Sequence, residues 1–371
     1  MQIETIPVQS SAPGTRHELQ VLRFGTPGAS PKAYLQGALH ADEVPAILVL
    51  QQLRHQLTEL EAAGQMLGEV VLVPFANPLG LSQHLMGQHH GRFDLRDGGN
   101  FNRGFPDLSQ AVMEAVSGRL NDEPQHNTRL VRAALRDGTR RLQASTPVED
   151  LKNQLLRLAV DADLVLDLHC DTEAVVHVYA LTPQESIAGQ LGAALQAHAV
   201  LLATESGGSP FDEACTRPWY LLQQQLPQFP LALACFAATV ELRGATDTHH
   251  DLARRDADGL VQFLRLRGVL KPGGVALPTA LCAPTPLSGS EPVTAPHAGV
   301  VVFRREPGEQ VAAGDAIADL VDALTGATTP VRCASGGVLY ARCGSRWAHP
   351  GKRLAKIAGT ALARSGPLLS A

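Results

Sequence analysis

Short, almost uniformly apolar runs alternate along the first two-thirds of the chain with longer stretches whose apolar positions recur every three or four residues. Residues 19–24 (LQVLRF) and 33–39 (AYLQGAL) predict strands, 43–63 a helix, and 68–75 (GEVVLVPF) a further strand, in the order β-β-α-β. Residues 108–120 and 149–160 carry the helical period. Two later runs, 163–170 (DLVLDLHC) and 231–242 (LALACFAATVEL), are nearly continuous in apolar residues, as strands buried on both faces are. A helix over 252–266 follows. Strands covered by helices on both faces predict an α/β fold with a central mixed, largely parallel sheet, whose sites gather at the carboxyl ends of the strands.

The pattern changes at Lys271-Pro272-Gly273-Gly274, where a stretch rich in Pro, Ser and Thr marks a boundary. This divides the chain into a domain over 1–273 and a second over 274–371. Within the second, residues 295–322 recur more loosely as 334–359, two β-hairpin units that predict a small all-β barrel with quasi-twofold symmetry. The units resemble the halves of lipoyl and biotinyl carrier domains. The segment between them, LVDALTGATTP, has no lysine to carry a prosthetic group. A structural or oligomerising role, with a possible homo-oligomer, is the expectation.

Composition narrows the field. With 371 residues, 44% hydrophobic and 18% charged, the chain can bury a core. A net charge of -5 leaves no basic excess for nucleic acid. No apolar run approaches the roughly 20 residues that a bilayer requires, and no basic-then-apolar leader opens the sequence, so a cytoplasmic protein without a membrane partner is expected. The six cysteines are scattered, without a C-x-x-C pair, and are expected to be reduced. Cys170 is expected to be a packed thiol rather than a metal ligand, because strand neighbours point to opposite faces.

Candidate chemistry sits at the predicted strand ends. His40-Ala41-Asp42-Glu43 is an H-x-x-E where a strand gives way to a helix, His169 ends one buried strand and Glu241 lies near the end of another. Two histidines and a glutamate form a three-ligand zinc set that leaves one position for water. Taken singly, each has an ordinary reading: a surface His–Glu pair, a satisfied strand-end histidine, a carboxylate paired with Arg243. Arg103 next to Asn102, and Arg92 before them, add groups that can grip a carboxylate.

The series H-x-x-E, N-R, D-L-H and E-L-R resembles the zinc carboxypeptidase superfamily. HADE, Asn77-Pro78, RFDLRDGGNFNRGFP and the appended barrel resemble, more closely, the succinylglutamate desuccinylase/aspartoacylase family. That resemblance implies one zinc per chain held by His40, Glu43 and His169, with Glu241 as general base and acid. It implies that Arg103 with Asn102 receives the substrate carboxylate and that Arg92 polarises the scissile carbonyl, with Arg96 a rival for that role. The implied activity is that of an amidohydrolase removing an acyl group from a small N-acyl amino acid. A carboxypeptidase acting on peptide C-termini and a non-catalytic carboxylate-binding protein are the alternatives. Asp171 and Glu173 either favour a cationic substrate group or cap loop amides; His84, His89 and His90 read as solvated loop residues. Asp42 either orients His40 or is an acid at a helix N-terminus.

Overall fold

The computed structural model of the chain describes residues 1–369. One large sheet contains Gln2–Val8 (β1), His17–Phe24 (β2), Lys32–Gly37 (β3), Glu69–Val73 (β4), Leu164–Asp171 (β5), His177–Leu181 (β6), Ala199–Ala203 (β7), Phe236–Gly244 (β8) and Pro284–Pro286 (β9). Its spatial order is β1-β2-β4-β3-β5-β8-β6-β7-β9. The centre, β4-β3-β5-β8, is parallel. β1 and β2 flank it antiparallel; β6 pairs antiparallel with β8 and parallel with β7. The sheet is therefore mixed.

Helices cover both faces because the central strands are apolar on both. Val70 and Leu72 of β4 face one layer while Val71 and Val73 face the other, the two-residue alternation of a strand. Pro45–Ala62 (α1), Glu185–Leu195 and His250–Leu266 pack on the first side, with Leu53, Leu191 and Leu260 in one cluster. Ser109–Val116, Pro124–Arg141, Pro147–Ala159 and Phe211–Gln225 pack on the second, around Val131, Leu155 and Trp219.

Several expected boundaries move, the helix expected over 108–120 for one, which spans Ser109–Val116. The helix expected from 43 begins at Pro45, whose fixed φ and missing N–H suit the first helical position. The strand expected over 231–242 begins only at Phe236: the chain after Pro230 is irregular, and Phe236 N joins the ladder by donating to Asp163 O.

Beyond the large sheet the chain forms two smaller sheets that share one apolar cluster, including Val301, Ile317, Leu320, Leu339, Leu354 and Ile357. The two sequence repeats are visible in their strands. The first repeat places Gly299–Phe303 and Ala316–Val321 in one sheet and lends Gln310–Val311 to the other; the second places Gly337–Arg342 and Arg353–Ala358 in that other sheet and lends Trp347–Ala348 back. Glu173–Ala174, just after β5, pairs with Gly337–Arg342 and joins this unit to the large sheet's carboxyl edge. Among the described residues, no helix is long and apolar enough to cross a membrane.

Candidate active site

His40 and Glu43 lie on the turn between β3 and α1. At Gly37 an added Cβ would meet Ala46 Cβ and Leu50 Cδ1 at 3.0 Å, so glycine lets the helix lie close to the strand end. Ala38 then adopts φ +56°, a left-handed conformation rare for a residue with a side chain. Glu43 N donates to His40 O at 3.0 Å, folding the H-x-x-E into a tight turn ahead of the helix. His169 is on β5, and Glu241 stands beside it in register on β8.

These positions converge. His40 Nδ1 lies 3.0 Å from Glu43 Oε1 and His169 Nδ1 lies 2.7 Å from Glu43 Oε2. All three residues are buried, and their ligand atoms lie within 4.8 Å of one another. The outer nitrogens are fixed by oxygens: His40 Nε2 by Asn100 Oδ1 and His169 Nε2 by Asp167 Oδ2, each at 2.8 Å. A proton held on each Nε2 leaves both Nδ1 lone pairs aimed inward, the tautomer a metal ligand requires. Asp167 is itself set by Gln36 Nε2 at 2.9 Å, and Gln36 by the Tyr34 hydroxyl at 2.7 Å.

The electrostatics fit a cation. Burial, with Glu43 close by, pushes Glu241 up to about 8, and its Oε2 has no hydrogen-bond partner. Burial opposes charge on His169, yet Asp167 and Glu43 together hold its pKa well above the usual imidazole range. Burial lowers that of His40. A buried group of carboxylates thus draws a proton onto an imidazole, and a divalent ion at the two Nδ1 atoms and the Glu43 carboxylate would replace that proton. Two imidazole nitrogens and a carboxylate oxygen suit zinc.

Arg92 Nη2 donates to Glu43 Oε1 at 2.6 Å, whereas Arg96 is turned onto Asp94 at 2.5 Å. Of the two arginines, only Arg92 lines the cavity. Its position rests on Gly91, whose carbonyl accepts from Ala41 N at 2.9 Å. A Cβ at Gly91 would lie 2.0 Å from Asp42 N. We therefore expect Gly91→Ala to push the arginine loop off the His40 turn, costing about 3 kcal/mol in chemical denaturation and weakening metal binding; unchanged stability and metal affinity would refute this packing argument.

Arg103 lines the same cavity, its Nη1 donating to Asn102 O at 2.6 Å and its own carbonyl accepting from Lys152 Nζ at 2.6 Å. The Asn102 carboxamide faces the protein: Oδ1 accepts from Phe211 N at 2.9 Å and Nδ2 donates to Asp167 Oδ2 at 3.4 Å. The cavity, about 600 Å³, is lined on its other side by residues of the C-terminal unit that include Thr294, Ala341 and Lys356.

Several alternatives are settled by contacts. Arg243 pairs with Asp256 rather than with Glu241. Asp171 pairs with Lys356 and Glu173 with Arg342 and Arg346, so both acids fasten the C-terminal unit. Asn100, not Asp42, holds His40, and Asp42 Oδ1 has no partner. His84 and His89 stack at 4.8 Å on a separate small hairpin. Cys170 is buried, and its backbone N, at 3.1 Å, donates to Glu43 Oε2. The sequence reading missed Asn100 and Asp167. The second had a signal, since Asp167 and His169 are two apart on one strand and share a face.

A family model for the succinylglutamate desuccinylase/aspartoacylase catalytic domain matches residues 29–267. Among solved structures, the chain is similar to a succinylglutamate desuccinylase/aspartoacylase family protein from Shewanella amazonensis SB2B, with 29% identity, 96% of this chain and 98% of that one covered, and a TM-score of 0.84. A protein of Shewanella frigidimarina NCIMB 400 named for the same two activities is 26% identical, with 97% of each chain covered and a TM-score of 0.85. The fold is also that of the product-bound ectoine utilization protein EutE (DoeB) from Ruegeria pomeroyi, at 18% identity, covering 96% of this chain and 94% of that one, with a TM-score of 0.66. A comparison with curated proteins finds no match.

Proposed function

The chain belongs to the succinylglutamate desuccinylase/aspartoacylase family, and on that ground we propose that it is a zinc-dependent amidohydrolase that removes the acyl group from a small N-acyl amino acid. The observation that carries this reading is the inward aim of two histidine Nδ1 atoms at one buried carboxylate, with Glu241 in register beside them.

His40, Glu43 and His169 would hold the metal, which when bound polarises a carbonyl and lowers the pKa of water to about 7. Glu241, buried and without a partner on Oε2, takes the proton of the attacking water and passes it to the leaving amine. Arg92 faces the carbonyl oxygen and offsets its developing charge. Arg103 receives the substrate carboxylate through paired, charge-assisted hydrogen bonds. Asn102 keeps His169 and the 211–225 helix in place behind it. Residues 274–371, apart from Pro284–Pro286, which extends the large sheet as β9, act as an appended module, which closes as a small barrel and narrows the mouth.

Closure by that module favours a small N-acyl amino acid over a peptide C-terminus, because a cavity of about 600 Å³ holds a compact substrate. The test combines metal analysis of the purified protein with hydrolysis of N-acetyl, N-succinyl and N-formyl amino acids alongside short peptides. One zinc per chain and chelator-sensitive release of amino acid are expected; cleavage of peptides alone would establish the carboxypeptidase instead. For Arg103→Ala we expect KM to rise about 10- to 100-fold, the worth of a charge-assisted pair, with kcat far less affected. An unchanged KM would remove Arg103 from carboxylate binding.

A further inference from the structure

The cavity has a floor that the reaction above does not use. Glu241 and Thr239 project from one face of β8, and the ladder sets Thr239 opposite Tyr179 of β6, Tyr179 opposite Leu201 of β7, and Leu181 opposite Ala203. All of them line the cavity. The alternate residues Val178, Ala180, Val200 and Leu202 belong to the opposite face, in the layer under α1. Because β6 runs antiparallel to β8, the Tyr179 row lies two residues, about 7 Å, from Glu241, and the Leu181 row about as far again. None of the side chains in these rows is charged. Leu369 adds to them: its N and that of Leu368 donate to Ser206 O, just past β7, at 3.4 and 3.0 Å, and its side chain packs against the cluster that holds Tyr179 and Leu201.

We propose that this floor is the pocket for the substrate's side chain, and that the amino acid released by this enzyme carries an apolar side chain of about leucine or phenylalanine size. This rests on the deacylase reading for the placing of the amide and the carboxylate. The chain at Arg103 is tied to the floor's side of the cavity, since Gly104 N donates to Gly208 O at 2.8 Å and Phe105 N to Ser209 O at 3.0 Å, on the segment that leaves β7. A substrate with its carboxylate on Arg103 and its amide nitrogen at Glu241 therefore holds the side chain of its α-carbon over the floor. The other charges of the cavity are engaged or stand apart. Lys356 pairs with Asp171 and Arg342 with Glu173, Glu213 accepts from Ser206 N at 2.6 Å, and Asp212 Oδ1 is shut off from solvent. Arg353 belongs to the wall formed by the C-terminal unit. An apolar side chain gains by leaving water for such a floor, whereas a charged one loses its hydration with no opposite charge in the rows to replace it.

The experiment uses the zinc-loaded, full-length protein. The ratio kcat/KM is compared for N-acetyl-L-leucine and N-acetyl-L-aspartate, whose side chains share a branched shape and differ in charge, and for N-acetyl-L-ornithine; calorimetry measures binding of the three free amino acids. Leucine is expected to lead both others by about ten- to a hundredfold, the worth of burying a side chain of its size. Ala203 is half-buried, and Ala203→Lys, which sets an ammonium on the floor, is expected to lower the leucine-to-aspartate ratio by about tenfold or more. Aspartate or ornithine equal to or ahead of leucine, neither turnover nor binding of the leucine compounds, or the same ratio in a zinc-retaining Ala203→Lys protein overturns the pocket. If that variant does not fold, the comparison of ligands on the unaltered protein decides. Preferential binding of leucine without hydrolysis of any N-acetyl compound would instead sink the deacylase reading and leave the pocket standing.

Discussion

Glu241→Gln is expected to lower kcat by about three orders of magnitude, the middle of the range for loss of a general acid–base group, while zinc content stays at that of the unaltered protein. Glutamine keeps the shape of the side chain and cannot accept the proton. Glu241 is outside the candidate ligand set of His40, Glu43 and His169, and its Oε2 has no protein partner to lose. A second readout separates this from general damage. In the metal-free protein the Glu241 pKa is raised from 4.5 to about 8, so between those values the unfolded chain is ionised and the folded chain holds a proton. Stability from this group is therefore full below about pH 4.5 and falls as pH rises toward 8, by at most about 1.4 kcal/mol per unit. The glutamine variant lacks that slope. Comparing denaturation of the two metal-free proteins from pH 5 to 8 tests the burial; a fully active variant would remove Glu241 from proton transfer.

What the sequence revealed depended on how much of each element's energy is local. The run from Leu164 to Cys170 is legible because a strand buried on both faces has to be almost wholly apolar. The helix Pro124–Arg141 escaped notice because six of its eighteen residues are arginine or aspartate and only a narrow stripe, including Leu130, Val131 and Leu135, is buried. Phe211–Gln225 contains Pro218, which reads as a break although the helix continues through it. The proposed metal ligands stood out as residue types at strand ends. Asn100 and Asp167, which turn the imidazoles, did not, because Asn100 lies sixty positions from His40 along the chain and only the folded chain brings them together.

His169→Ala is expected to abolish stoichiometric zinc binding and, with it, measurable hydrolysis, since two remaining ligands no longer form a three-donor site. It is also expected to destabilise the metal-free protein by about 3–5 kcal/mol, as removal of one partner from a buried charge pair does. The reason lies in the two carboxylates His169 separates. Its Nδ1 faces Glu43 Oε2 at 2.7 Å and its Nε2 faces Asp167 Oδ2 at 2.8 Å, so alanine leaves both buried acids without the imidazole between them. Because those acids hold the His169 pKa well above 6.5, its contribution is full below that value and is lost as pH rises through the elevated one. The stability gap between the two metal-free proteins should accordingly narrow in alkaline solution. Asp167→Asn provides the graded comparison: the imidazole and its inward nitrogen remain, only their orientation is loosened, and zinc affinity should fall about 10- to 100-fold rather than vanish. Zinc titration of the two variants against a competing chelator distinguishes a ligand from the residue that aims it, and equal losses in both would mean that His169 does not touch the metal.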